Sequence, residues 1–151
     1  MKKQRNNKSS ILSILNIAGV KPYKQINGEE YMSKLQINHF KKILKAWDNK
    51  IKKESSSALS YIKNESINFP DPVDRAVQEE EFSIEIRNRD RERKLLKKIK
   101  YTLKKIKENN FGFCELCGVK IGIRRLEAHP TADLCIDCKT LEEIKKKQIN
   151  G

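Results

Sequence analysis

All four cysteines of the chain occur in two C-x2-C pairs, Cys114 with Cys117 and Cys135 with Cys138. Each short spacing lets two thiolates point toward one site, and four thiolates complete a tetrahedral shell around Zn²⁺. A shell of four sulfurs leaves no coordination position for water, so we expect a structural rather than a catalytic ion. A redox C-x-x-C pair and a disulfide are the alternative uses of these residues.

A segment of opposite charge precedes the cysteines. Residues 65–85 carry seven carboxylates and one arginine, a net charge of −6, whereas the whole chain has 33 Lys and Arg, 20 Asp and Glu and a net charge of +13. Charge asymmetry of this kind concerns partners rather than fold. The basic excess alone would fit a nucleic-acid-binding protein, but 25 of the 33 cations are lysines spread along helices with few aromatic residues between them. Codon bias explains that composition, and we expect no sequence-specific DNA binding.

The acidic segment contains a predicted turn, Phe69-Pro70-Asp71-Pro72. Each proline disfavours helix in the residue before it, so one helix should end near Asn68 and another should begin at once. Asp71 is the expected N-cap and Pro72 the first helical residue, while Asp74 lies in the first turn, where an acid suits the helix dipole. Helix capping alone is enough to explain both aspartates, so a functional role for them needs separate support.

Two long helices are predicted to flank this turn. Apolar residues at spacings of three, four and seven mark the first arm: Phe40, Leu44, Trp47, Ile51, Ala58 and Ile62. The second arm continues with Val77, Ile84, Leu95, Ile99, Leu103 and Ile106. Folding the arms about the turn predicts an antiparallel coiled coil about 50 Å long. It also brings Ser55 and Ser56 against Asn88 and Arg91, where little apolar burial makes the seam softer.

The ends of several elements also have sequence signals. In the N-terminal segment, Ser9 or Ser10 could cap a short helix that Gly19 ends. The form Ser33-Lys34-Leu35-Gln36 predicts a capping box at the start of the coiled coil, and Thr140-Leu141-Glu142-Glu143 predicts another at the start of a C-terminal helix.

These signals predict a mainly α fold: a long antiparallel two-helix coiled coil with a small globular end that holds a four-cysteine zinc finger and a C-terminal helix. The predicted domains are residues 1–32 (N-terminal segment of the globular end), 33–108 (coiled coil, with its acidic tip at 68–76) and 109–151 (zinc finger and C-terminal helix).

Other classes of protein are disfavoured. The sequence has no apolar run of about 18 residues and no hydrophobic region of a secretory signal, so we expect a cytoplasmic protein without a membrane partner. It offers no nucleophile with a positioned base, and its cysteines are assigned to zinc, so we expect no enzyme. Within the alternating charges of residues 88–94, Arg91 lies at or beside the seam and is predicted to face a partner.

With these parts placed, the sequence resembles the DksA/TraR zinc-finger family of bacterial transcription factors. The resemblance rests on residues 68–76, 78–94 and 114–139, which are longer motifs than zinc ribbons in general share. It implies a factor that binds RNA polymerase directly, inserts its tip into the secondary channel, and inhibits or activates initiation according to the promoter, together with guanosine tetraphosphate (ppGpp). We expect a monomer.

The resemblance assigns roles to individual residues. It implies that Asp71, Asp74 and Ala76 act in the channel and that Arg91 contacts polymerase. It places Leu95, Lys98, His129 and Lys139 at a ppGpp interface. The sequence departs from the family at His129, where the family has Arg, so a permanently charged fork is replaced by a side chain that is mostly neutral near pH 7. The chain is also basic where the family is acidic.

Two alternative functions stay open at this point. A nucleic-acid-binding zinc protein would bind DNA or RNA without polymerase, with an affinity that falls steeply with salt. A transcript-cleavage factor of the same polymerase channel would also deliver tip carboxylates to Mg²⁺.

Overall fold

This computed structural model describes the backbone of residues 14–64 and 71–151, and the side chains of residues 14–58 and 71–151. The described residues are mainly helical, and they contain no β-strand beyond an isolated bridge between Phe113 and Lys120. The helices are α1 (Lys34–Asn64), α2 (Pro72–Lys107), α3 (Ile123–Ala128) and α4 (Ile136–Asn150), and residues 14–18 are also helical. The predicted mainly α fold class is confirmed. In the described ranges, no helix has the length and apolarity needed to cross a bilayer.

The N-terminal helical segment ends as predicted. Gly19 has a φ of +63°, a left-handed conformation that glycine adopts without steric cost. The N–H of Val20 donates to the carbonyl of Leu15 at 3.1 Å, which is the long bond of a Schellman motif. The predicted N-cap at Ser9 or Ser10 lies outside the described residues.

Helix α1 begins at the predicted capping box. The N–H of Gln36 donates to Ser33 Oγ at 3.4 Å, and Gln36 Oε1 accepts from the N–H of Met32 at 2.8 Å. The return bond therefore reaches one residue further back than in the usual box. Since Gln36 is almost fully buried, this bond also satisfies a polar group that water cannot reach.

Helix α2 begins at Pro72, as the turn chemistry predicts. Asp71 Oδ1 accepts from the N–H of Val73 at 3.0 Å, so Asp71 is the N-cap. Asp74 lies in the first turn. The predicted end of the preceding helix near Asn68 lies outside the described residues.

The chain divides into two compact units. Unit 1 comprises Met1–Trp47 and Tyr101–Gly151, and unit 2 comprises Asp48–Lys100. The core of unit 1 takes large side chains from several elements that are distant in sequence: Leu15, Phe40, Ile43, Leu44, Phe111, Ile121 and Leu126. The rings of Phe40 and Phe111 lie 5.4 Å apart, so α1 packs against the segment that leads into the zinc finger. The domain limits proposed from the sequence stay predictions.

Unit 2 joins its two helices partly through polar groups. Arg89 Nη1 donates to the carbonyl and to the Oγ of Ser55, at 2.7 and 2.8 Å. Arg89 Nε also donates to Glu85 Oε1 at 2.9 Å. The predicted pairing set Ser55 against Asn88, the residue next to Arg89. The helices therefore meet close to the predicted alignment, and a half-buried guanidinium takes the place of the missing apolar contact.

The predicted seam of α2 was wrong in its first turns. Val77 and Ile84 are about half exposed. The half-buried positions are instead Phe82, Glu85 and Arg89. These positions precede the fully buried Ile99 at helical spacing, so α2 does have a periodic buried face. In its first turns that face carries charged residues beside Phe82. Val77 and Ile84 therefore lie outside the half-buried face of α2.

The predicted start of the C-terminal helix was also wrong. Helix α4 begins at Ile136, and Thr140 lies in its second turn, where Oγ1 donates to the Ile136 carbonyl at 2.8 Å. Cys135 is the N-cap, because its sulfur accepts from the N–H of Cys138. A cysteine sulfur thus replaces the hydroxyl cap that the capping-box pattern predicts. Leu141 and Ile144, the predicted apolar side, are largely exposed.

Replacing Trp47 with Ala should destabilise the protein by about 1–3 kcal/mol. Full burial of a large aromatic side chain would give a cost of about 3–5 kcal/mol. Trp47 is only half-buried, so part of its surface is in water before the substitution. The midpoint of denaturant unfolding measures the change, and Phe40→Ala, at a fully buried position, is the matched comparison. A larger loss for Trp47→Ala than for Phe40→Ala would contradict this expectation.

Candidate metal centre and acidic tip

The four cysteine sulfurs converge on one point of unit 1. All four lie within 4.8 Å of one another, and the sulfurs of Cys117 and Cys135 are 3.6 Å apart. Zn–S bonds of about 2.3 Å in a tetrahedron set sulfurs about 3.8 Å apart. A disulfide would instead require a sulfur–sulfur distance of about 2.05 Å. The four residues therefore fit a zinc ion, and all four are free cysteines rather than disulfide partners.

Local backbone geometry builds the first cysteine pair. The N–H of Cys114 donates to the Val119 carbonyl, and the N–H of Gly118 donates to the Cys114 carbonyl, each at 2.9 Å. Gly118 has a φ of +74°, so the tight turn needs glycine there. The bridge between Phe113 and Lys120 closes the base of this turn. The pair is thus held in a small hairpin-like loop.

The second pair lies at the N-terminus of α4. Cys135 caps the helix and Cys138 lies in its first turn. The sulfurs of these two residues lie close enough to each other and to the first pair to bind one common ion. Arg125 of α3 supports the approach to this pair, because its Nε and Nη2 both donate to the Leu134 carbonyl at 3.2 Å.

Residues of α2 contact the loop that holds the first pair, through Glu115. Glu115 Oε1 accepts from Tyr101 OH at 2.9 Å and from Lys105 Nζ at 3.1 Å. The bond from Lys105, and to a smaller extent the bond from Tyr101, lowers the pKa of Glu115. The N–H of Glu115 also donates to the Asp133 carbonyl at 2.9 Å. Glu115 therefore joins the first pair both to α2 and to the segment before the second pair.

Tyr31 contacts the opposite side of the finger. Its hydroxyl lies 2.7 Å from the Gly112 carbonyl and also contacts the Ile121 carbonyl, and burial raises its pKa to about 12. Gly112 has a φ of +93°, and a Cβ there would lie 2.9 Å from the Tyr31 hydroxyl. Glycine at this position thus permits the close approach of Tyr31.

A buried polar contact holds α3 in unit 1. Glu127 Oε1 lies 3.1 Å from His39 Nε2 and accepts from the N–H of Tyr23 at 2.7 Å. Both side chains are almost fully buried. Sequence reasoning missed this contact and those of Glu115, Tyr31 and Arg125, since their partners lie at sequence distances that no local motif encodes.

The predicted tip residues are on the surface. Asp71, Asp74 and Ala76 are all exposed at the start of α2. Asp71 is the helix cap. Residues 68–70 of the predicted tip lie outside the described ranges.

The structure places the other predicted contact residues in two different units. Arg91 and Lys98 are exposed and Leu95 is half-buried, all on α2 in unit 2. His129 is exposed after α3 in unit 1, and Lys139 Nζ donates to Glu142 Oε2 at 2.8 Å on α4. The predicted role of these residues at a ppGpp interface stays a prediction.

Two families match successive parts of the chain. Residues 36–106 match the family described as the N-terminal domain of DnaK suppressor protein DksA. Residues 109–143 match the prokaryotic dksA/traR C4-type zinc finger. The second match covers all four cysteines that the structure brings together.

Named relatives match over the full length of both chains. The RNA polymerase-binding transcription factors DksA of Salmonella typhimurium and Escherichia coli K12 are each 62% identical over 151 residues, and that of Buchnera aphidicola (subspecies Acyrthosiphon pisum) is 60% identical. The solved structure of transcription factor DksA2 from Pseudomonas aeruginosa is 30% identical and superposes with a TM-score of 0.71. The superposition covers 78% of this chain and 90% of the DksA2 chain.

Proposed function

This chain belongs to the DksA family, and we propose that it is an RNA polymerase-binding transcription factor that acts in the bacterial cytoplasm as a monomer. Its relatives with this name are 60–62% identical over their whole length. That identity, together with the exposed acidic start of α2, is the observation that carries the proposal. Polymerase is the partner, and the chain is not expected to recognise a DNA sequence or to catalyse a reaction of its own.

The acidic end of the coiled coil is proposed to enter the secondary channel of polymerase. Asp71, Asp74 and Ala76 are exposed there, so no rearrangement is needed to present them. The cap contact of Asp71 stiffens the first turn of α2, and a stiff support lowers the entropic cost of placing Asp74 next to a basic group or Mg²⁺. Arg91, exposed further along α2, is proposed to contact the polymerase surface.

Zinc is proposed as a structural cofactor. Cys114, Cys117, Cys135 and Cys138 would hold it, and the ion would supply a closed tetrahedral centre without a reactive position. Since Cys135 and Cys138 belong to the start of α4 and Cys114 and Cys117 to the preceding loop, the metal would fix α4 relative to that loop.

Response to ppGpp is proposed through Leu95, Lys98, His129 and Lys139. His129 is the weak element of this set. Its imidazole is exposed and cannot form the bidentate, permanently charged fork that Arg offers to phosphate.

The function is tested by co-purification with RNA polymerase and by run-off transcription with and without ppGpp. We expect His129→Arg to lower the ppGpp concentration needed for the response by at least about tenfold, because a hydrogen bond to a charged group contributes roughly 1.5–3 kcal/mol. His129→Gln, which is neutral, should leave the response at the wild-type level. An unchanged response in His129→Arg would remove His129 from the proposed interface, and failure to bind polymerase at all would overturn the function.

A further inference from the structure

We propose that Tyr101, Lys105 and Glu115 form a clamp that holds the first cysteine pair in its metal-binding arrangement and slows the release of zinc. The proposal rests on the assignment of zinc to the four cysteines. It concerns positioning residues, because none of the three offers an atom to the metal itself.

Two donors of the clamp point to the same oxygen atom of Glu115. Tyr101 and Lys105 lie one helical turn apart on α2, and both donate to the same oxygen of Glu115, at 2.9 and 3.1 Å. Lys105 Nζ also lies 5.8 Å from the centre of the Tyr101 ring, within the range of a cation–π contact. The three groups therefore restrain one another, and one carboxylate oxygen accepts from both donors.

The position of Glu115 connects the clamp to the metal ligands. Glu115 directly follows Cys114, whose side chain is buried. Its own N–H donates to the carbonyl of Asp133, two residues before Cys135. A shift of the Glu115 backbone would therefore displace a ligand of the first pair and loosen the segment that carries the second pair. Groups that orient metal ligands commonly change metal affinity by about 10- to 100-fold when they are removed.

Burial of one member, Lys105, separates the clamp from an ordinary surface ion pair. The side chain of Lys105 is 11% exposed, and that of Glu115 is 38% exposed. The neighbouring pair, Lys104 with Glu108, is separated by 3.8 Å, and its side chains are 70% and 51% exposed. Water screens the exposed pair and leaves it with little energetic effect, whereas the ammonium of Lys105 depends on Glu115 as its partner.

A hollow of about 440 Å³ lies beside the clamp. Its lining includes Tyr101, Lys105, Phe113 and Cys114. The space lets the Glu115 side chain swing away once its donors are removed. Such a movement would expose the Cys114 sulfur to solvent and to a competing chelator.

The test measures how fast zinc-loaded full-length protein transfers its metal to the chromogenic chelator 4-(2-pyridylazo)resorcinol. Lys105→Met and Glu115→Gln should release zinc at least about tenfold faster than wild type, and Tyr101→Phe should show a smaller increase. Lys105→Arg, which keeps the charge and a donor, should restore slow release. Lys104→Met is the matched control, and its release rate should equal that of wild type.

Two further measurements, circular dichroism and metal analysis, keep the outcomes separate. Circular dichroism before chelator is added establishes that each variant is folded, and Tyr101→Phe and Glu115→Gln change side chains that are partly exposed, so they serve if Lys105→Met does not fold. Wild-type release rates in folded Glu115→Gln and Tyr101→Phe would overturn the clamp. Absence of zinc from wild-type protein would instead overturn the metal assignment on which the clamp rests.

Discussion

Replacing Asp74 with Asn should abolish most of the regulatory effect on transcription while leaving the fold and polymerase binding in place. The substitution keeps the size of the side chain and removes its charge. Its cost through the helix dipole should be only about 0.3–1 kcal/mol, because Asp74 is exposed at the start of α2. If the carboxylate acts electrostatically inside the channel, the defect must persist at saturating protein. Run-off transcription alongside a polymerase-binding assay measures both properties.

Two matched variants separate charge at the tip from charge in general. Asp71→Asn should be milder, because Asn caps about as well as Asp and the bond to the Val73 N–H is kept. Glu79→Gln removes an exposed acid further along α2 and should regulate like wild type. If Asp74→Asn binds polymerase and regulates normally, the charge of Asp74 has no role in regulation, and the acidic tip serves only as a turn between helices. Cleavage of backtracked transcripts by wild type, lost in Asp74→Asn, would favour the cleavage-factor alternative.

Removing the zinc, by chelation or by Cys114→Ser, should release residues 109–151 from their folded arrangement. Structural zinc contributes binding energy of about 10–16 kcal/mol in small zinc domains, and that energy is also folding energy. Helices α1 and α2, with 31 and 36 residues, should keep most of the helical signal, since α3 and α4 contribute only 6 and 15 residues. Hydrogen exchange should show fast amides in 109–151, and metal analysis should find about one zinc per wild-type chain.

The structure adds a consequence of metal loss in unit 1. Phe111 packs on Phe40, so a loosened finger removes one wall of the core and should lower the unfolding midpoint of the rest of unit 1. Leu116→Ala, between the two cysteines of the first pair, is the matched control, because that side chain is largely exposed. Fully folded, metal-free wild-type protein would refute the role of zinc.

Much of the local structure could be predicted because it depends on residues close in sequence. The N-cap of Asp71, the contact of Ser33 with Gln36 and the stop at Gly19 each need only neighbours within a few positions. The zinc centre is a long-range feature that could also be predicted, since cysteine spacing encodes the chemistry of the ion.

Features that depend on competition between local patterns were harder to predict. The motif at Thr140 has the form of a capping box, but the Cys135 sulfur starts the helix four residues earlier. In α2, apolar Val77 and Ile84 predicted the seam, but both are about half exposed. Arg89 lies in the half-buried face instead, because its guanidinium donates to Ser55 there. Contacts such as that of Glu115 with Lys105 have no local signature.

The bond between Arg89 and Ser55 also determines how the two helices of unit 2 resist sliding along their axes. In a helix seam, a polar contact specifies the register of the two helices more sharply than apolar contacts do. A shift by one helical turn, about 5.4 Å, would remove both bonds from Arg89 to Ser55 and leave a half-buried guanidinium with only its own helix as partner. The contact therefore fixes how far Asp74 lies from Ser55 along the axis of the helix pair.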